Sequence, residues 1–220
     1  MSGFPNSPRL VKGGIVTLDP NTSVVQSIIA LQYNPDSLTR TLQIQAVQGG
    51  QDGVRVNALR LRGPAVETIK VEAEMDATDQ LEFPKQFPSA VRYGLHPQLS
   101  QLEMLVNPTV ETLIADDDLA NNGALEIIPL EQALTLFVWS SSRVVPVRIT
   151  DFSITEEAFD SNLNPIRAKV SLGFRVLNVD DLGFDTPGGR LFMAYLTQKE
   201  HLASKVTNAA SSVLGLGGLP

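Results

Sequence analysis

The sequence predicts a mainly β protein, an antiparallel β-barrel or split sandwich with one inserted helix and a C-terminal helix. Three observations lead there. Apolar residues recur at every second position in several runs separated by turn-forming residues, the mark of half-buried strands. The period switches to three and four around residues 97–107 and again after residue 189, the mark of helices packing by one face. The composition, 43% hydrophobic and 19% charged over 220 residues, is that of an ordinary globular chain large enough to bury a core.

Residues 1–14, with two prolines and three glycines, read as a flexible arm. Over residues 27–33, Ile29, Leu31 and Tyr33 share a side, and Asn34, Pro35, Asp36 and Ser37 stop the strand. Leu42, Ile44 and Ala46 share a face over residues 39–47. Two strands about a short polar turn suggest a hairpin. Residues 48–63 break the alternation and read as a surface loop. Residues 68–76 form the clearest strand, with Ile69, Val71, Ala73 and Met75 on one face and Lys70, Glu72, Glu74 and Asp76 on the other.

Leu99, Leu102, Leu105 and Val106 stand at helical intervals, and Pro108 marks that helix's end. Asp116, Asp117 and Asp118, then Asn121, Asn122 and Gly123, read as a polar loop. Residues 133–139 are apolar throughout, as in a strand covered on both faces. From residue 144 the apolar phase slips between Val145, Val147, Ile149 and then Phe152, Ile154, which predicts a bulge. Residues 159–166 form a hairpin tip before a strand with Ala168, Val170, Leu172, Phe174 and Val176 on one face. A helix from about residue 190 to 213 carries the stripe Phe192, Tyr195, Leu196, Leu202, Val206 and Val213. These limits divide the chain into an arm (1–14), a β-domain (15–182) and a linker with the C-terminal helix and tail (183–220).

The chemistry is sparse. With no cysteine and two histidines, His96 and His201, the chain offers no thiolate site, no disulfide and no multi-histidine metal centre. Seventeen basic against 24 acidic residues give a net charge of −7, which argues against a nucleic-acid partner. No apolar run approaches the ~20 residues of a membrane-spanning helix, and no signal-peptide pattern opens the sequence, so cytoplasmic synthesis without membrane insertion is expected. Gly49, Gly50 and Gly53 lack a phosphate-loop ending, and Gly188 and Gly189 read as a loop closing onto the last helix. Asp116 to Asp118 do not follow calcium-loop spacing. Glu156, Glu157 and Asp160 could be read as paired carboxylates for acid–base work, but Glu156 and Glu157, adjacent on a strand, point to opposite faces and do not easily share one substrate. They read as a charged strand edge. His96 reads as a cap or packing residue, His201 as surface, and Trp139 as core. No nucleophile, base and orienting group come together, so neither enzyme activity nor a cofactor is expected.

Three segments in order carry a resemblance. Tyr33, Asn34 and Pro35 follow the first strand; residues 64–76 form a long middle strand; and residues 133–139 precede a hairpin running from Phe159 through Pro165, Arg167 and Ala168. Over about residues 15–180 the chain resembles the tube-type adaptor proteins of contractile injection systems and related phage-tail-like particles. That family has a Phe/Tyr-Asn-Pro turn, a long middle strand and a Phe…Gly-x-Pro-x-Arg-Ala hairpin. Asn164 stands where that hairpin carries glycine, and asparagine also enters the left-handed region readily. Many relatives end in a LysM module, for which residues 183–220 leave no room, so the short form without cell-wall binding is expected.

The resemblance implies a tube-protein β-barrel and a structural role in the baseplate of a particle made in the bacterial cytoplasm. There the chain would form a ring, six copies in the family's symmetry, between the spike-hub protein and the first layer of inner tube protein, with a sheath adaptor as a further candidate partner. Phe192, Tyr195, Leu196, Leu202 and Val206 are the candidate subunit-interface residues, packing on the chain's own β-domain being the alternative. A stand-alone carbohydrate- or ligand-binding β-domain is the other reading of the whole.

Overall fold

A rolled antiparallel sheet organises the protein. The computed structural model describes residues 11–46, 60–121 and 132–206, so the expectations for residues 1–10, most of the loop at 48–63, Asn122, Gly123 and everything beyond Val206 lie outside the described residues. The seven described strands are β1 (Gly14–Leu18), β2 (Val25–Ala30), β3 (Leu38–Gln43), β4 (Val66–Asp76), β5 (Leu134–Ser140), β6 (Arg143–Phe159) and β7 (Pro165–Val176). They form one antiparallel sheet in the order β2-β1-β5-β6-β7-β4-β3.

The expected hairpin of the second and third strands does not form. β2 pairs with β1 and β3 with β4, so the two strands lie at opposite edges of the sheet. β2 already ends at Ala30, ahead of the expected stop at residues 34–37, and the link that holds those residues joins two edges instead of two neighbours. That link forces curvature. Seven strands laid flat at ~4.8 Å spacing would hold the edges roughly 29 Å apart, about the full reach of an extended eight-step link. Yet the link is bent at residues 32, 33 and 36. The Gln32 side chain pins it to the end of β4, donating to the Asp76 carbonyl (2.6 Å) and accepting from the Asp76 N–H (2.9 Å). Asn34 ties the same link to the start of the chain, accepting from the Gly13 N–H and donating to the Val11 carbonyl. The sheet therefore rolls, and β2 and β3 both contribute to one core, with Ile29 in it and Leu38 against it.

That core holds the expected strand faces. Ile69, Val71 and Ala73 of β4 and Ala168, Val170, Leu172, Phe174 and Val176 of β7 are buried, and Phe137 stacks on Phe174 with ring centroids 5.0 Å apart. β5 is covered on both faces. Phe137 joins the main core, while Leu134 and Leu136 join Leu18 in a second cluster capped by Leu182 and Leu191. Trp139 is half-buried and stacks on Phe137 at 5.8 Å. The bulge in β6 is present, as a register shift between Ile149 and Asp151 opposite β7.

Among the described residues, four short helices lie in the connection from β4 to β5: α1 (Thr78–Leu81), α2 (Pro88–Tyr93), α3 (His96–Glu103) and α4 (Val110–Asn121). Only α3 was expected, and it ends at Glu103, ahead of Pro108. Leu95, Leu99 and Leu102 bring it to the core. The corner between α2 and α3 docks on the β6–β7 hairpin tip: the Leu95 N–H donates to the Pro165 carbonyl at 2.9 Å, and Asn164 donates to the Arg92 carbonyl. Gly94 sits there with φ +56°, and a Cβ on it would strike that same carbonyl. Asp116, Asp117 and Asp118, read as a loop, belong to α4. At the hairpin tip the left-handed residue is Leu163 (φ 64°) and not Asn164. A Gly-x-Pro spacing counted back from Pro165 falls on Leu163, so the expectation that placed the glycine position at Asn164 is corrected by one residue. Asn164 instead closes the turn by donating backbone and side-chain N–H groups to Asp160.

After β7 come α5 (Val179–Leu182) and α6 (Pro187–Ala203). Asn178 and Asp181 form a reciprocal capping box at the start of α5. Thr186 caps α6 by accepting from the Gly189 N–H at 3.0 Å, with Pro187 at the first helical position. Gly188 and Gly189 are thus the first turn of the helix and not a loop before it. Their lack of side chains lets α5 and α6 meet, since a Cβ on Gly189 would overlap the Gly183 carbonyl oxygen.

Helix propensity alone would make Gly189→Ala stabilising by ~1 kcal/mol. The close approach reverses the sign: the substitution is expected to cost ~1–3 kcal/mol, as overpacking does, read as a lower midpoint in urea unfolding with an unchanged slope.

Candidate functional site

The inner face of β4 carries one residue that breaks its apolar run. Glu67 shares parity with Ile69, Val71 and Ala73 and is 3% exposed. A bare carboxylate in such a place is costly, and three partners from two elements satisfy it. Arg40 of β3 donates from Nε at 2.6 Å to Oε1, Lys199 of α6 donates from Nζ at 2.8 Å to Oε2, and the Tyr195 hydroxyl lies 3.1 and 3.2 Å from the two oxygens. Arg40 also reaches the Tyr195 hydroxyl at 3.1 Å, and the Lys199 ammonium lies 4.0 Å from the Tyr195 ring centroid. Burial pushes the Glu67 carboxyl up, but the hydrogen bonds and charges of Arg40 and Lys199 outweigh it and hold it below the usual carboxylate range.

This clasp fixes α6 against the sheet and divides the candidate interface stripe. Phe192 and Tyr195 are buried in the main core and Leu196 packs against it. Leu202 and Val206, 45% and 71% exposed, continue the stripe beyond the covered part. The first members of the stripe are covered by the chain's own sheet, and its last members, Leu202 and Val206, face outward.

Both sheet edges leave apolar residues uncovered. Val25 and Ile28 of β2 are exposed at one edge; Leu42 of β3 and Ile44 just after it are exposed at the other. Ala46 bridges Leu61, so the ribbon of β3 and β4 continues past the sheet, where Leu61 is exposed between Arg60 and Arg62. Edge strands normally carry charge or cover to prevent pairing with other chains. Arg40 is an inward-pointing charge of that kind on β3.

Two clefts open on the surface. One, of about 780 Å³, lies between the residue 32–37 link and the outer face of β4 and β7, where Tyr33, Glu72, Glu74 and Lys169 line it. The other, of about 680 Å³, lies between α4 and β1, β2 and β5, with Thr109, Thr112 and Asp116 on its helical wall.

The residues weighed for chemistry are dispersed. Glu157 pairs with Lys169 across the strands at 3.4 Å, while Glu156 sits opposite Ala168. Asp160 shapes the hairpin tip; hydrogen bonds from Asn164 and Asn162 hold its carboxyl below the usual range, helped by the charge of His96. His96 is the first residue of α3 and exposed, the cap position falling to Leu95, so it neither caps nor packs as expected. His201 is exposed in the last turn of α6. Among the described residues, no three His, Cys, Asp or Glu side chains cluster as metal ligands, and no helix is long and apolar enough to cross a membrane. Glu67 is not among the candidates singled out from the sequence, where the alternation is traced from residue 68 although the longer segment 64–76 includes it. Its signal was there: an acid at an inward position of an alternating run.

No protein-family model matches the chain, and no curated protein is significantly similar to it.

Removing Glu67 leaves two cations facing the core. Glu67→Ala is expected to cost about 3 kcal/mol, the low end for breaking a buried ion pair, because Arg40 and Lys199 keep part of their solvent. The depressed Glu67 pKa means that the unfolded state binds the proton first as pH falls. The clasp therefore contributes fully above the ordinary carboxylate range, near pH 4–5, and its contribution is lost as pH falls through the lower folded value. Chemical unfolding between pH 7 and pH 3 should show Glu67→Gln less stable at neutral pH, with a shallower acid decline than the parent.

Proposed function

We propose that this chain is a structural subunit of a contractile, phage-tail-like injection particle. In this reading it forms a six-copy ring in the baseplate that joins the spike-hub to the inner tube, with tube protein on one side and hub protein on the other. The role is architectural and not catalytic. The observation that carries the reading is the pair of sheet edges without a further strand among the described residues, each with uncovered apolar side chains: Val25 and Ile28 on β2, Leu42 and Ile44 by β3. Such a sheet suits a subunit whose neighbours continue its surfaces, and heterologous contacts of that kind give a ring where the rotation between copies closes. The rolled shape suits the tube-protein β-barrel, and the Tyr33-Asn34-Pro35 turn ties the link between the edges in place through Asn34.

The cleft beside Tyr33 favours a second reading, a carbohydrate- or ligand-binding β-domain, since an exposed aromatic beside carboxylates and a lysine is a sugar-binding chemistry. That reading requires saturable binding in a glycan array, lost on Tyr33→Ala, by a chain that never joins a particle.

The ring reading is tested by imaging particles from cells that make this chain, with the chain labelled. Label between spike and tube is the expected result, together with particles lacking tubes when the chain is absent. Label confined to the outer sheath or to fibres contradicts it.

A further inference from the structure

α4 is built inside out. Thr109, Thr112 and Asp116 face the cleft toward the body of the protein, while Val110, Leu113 and Ile114 stand on the outward face, one turn before Asp117. The helix buries no residue, and each of those three apolar side chains is more than half exposed. A twelve-residue helix draws its stability mainly from packing an apolar face, so the outward face calls for a cover. Its charge is one-sided, with four acids and no base between residues 110 and 121.

The ribbon beyond β3 has the opposite character. Ile44 and Leu61 share its short two-stranded end, with Leu42 just before it, and all three are more than half exposed. Arg60 and Arg62 flank Leu61, and no acid occurs in residues 38–46 or 60–63. Neither surface covers the other within one chain, since both are exposed.

We propose that these two surfaces bind each other between copies of this chain: α4 of one copy docks on the Leu42–Ile44–Leu61 ribbon of the next, with Glu111 and Asp117 meeting Arg60 and Arg62. The occupant is a second copy because the chain itself carries both halves, apolar with acid and apolar with base. The contact joins unlike patches, so every copy keeps one patch for a further neighbour, the geometry that makes rings or filaments. This interface rests on the ring reading and specifies how the ring closes.

Charge reversal tests it on the full chain by sedimentation velocity over a concentration series. Glu111→Arg with Asp117→Arg, or Arg60→Glu with Arg62→Glu, should each weaken self-association at least tenfold while melting temperature holds, because all four side chains are exposed. All four substitutions in one chain should restore association to within about threefold of the parent. Unchanged association in either pair, or no restoration in the combination, overturns the interface but leaves the ring reading standing on other surfaces. A parent chain that stays monomeric at every concentration also overturns the interface, and the ring reading then stands or falls on where the label lies in the particle.

Discussion

The fold turns on one carboxylate placed where a sheet would ordinarily hold an aliphatic side chain. Glu67 faces the core from β4 and is held by a cation from an edge strand, a cation from the last helix and a tyrosine hydroxyl between them. Three elements distant in sequence are thereby fastened at one point. Buried ion pairs add little net stability compared with an apolar replacement. Their effect here is on geometry: α6 can satisfy Glu67 only in the position that also seats Phe192 and Leu196 against the core. The same clasp keeps Arg40 directed inward on an edge strand.

A second constraint acts at the other end of the rolled sheet. The link between β2 and β3 would span a flat seven-stranded sheet only at full extension, and it is bent; Gln32 stands in for a paired strand by hydrogen bonding both polar groups of Asp76. Curvature set by the link and closure of the interior by α3 and α6 together produce one core, with a smaller cluster on the far side of β5. Apolar side chains stay uncovered at the two sheet edges, along the outer face of α4 and at the end of the α6 stripe, and also at Phe83, Phe87, Val91 and Tyr93 around α2 and at Phe159 and Leu163 of the hairpin tip.

Local patterns in the sequence reported local structure faithfully. The alternation of residues 68–76 and 168–176, the bulge after Ile149 and the two-sided burial of residues 133–139 all follow from side-chain periodicity, which strand geometry imposes directly. Strand partners did not follow, because a turn at residues 34–37 stops a strand without saying what pairs with it; that is set by long-range packing. The run of three aspartates reads as loop chemistry by propensity, since aspartate is a poor helix former, yet it lies within α4, where tertiary context overrides propensity. Signals for the missed ends were present in Asn178 with Asp181 and in Thr186 with Pro187. Leu163 in the left-handed region was marked only by the Gly-x-Pro count back from Pro165, since leucine itself rarely adopts that backbone. The free surfaces of α4 and the ribbon were invisible for a different reason: an apolar stripe in sequence says that it will be covered, not by which chain.

Native-state hydrogen exchange on the full chain tests the central claim most directly. If Glu67 fastens α6 into the cooperative core, the amides of residues 192–199 exchange only through global unfolding, with the same protection as the centres of β4 and β7, and Glu67→Gln lowers the protection of the helix selectively. Exchange of those amides through a local opening several kcal/mol below that of β4 and β7, unaffected by Glu67→Gln, would contradict the account.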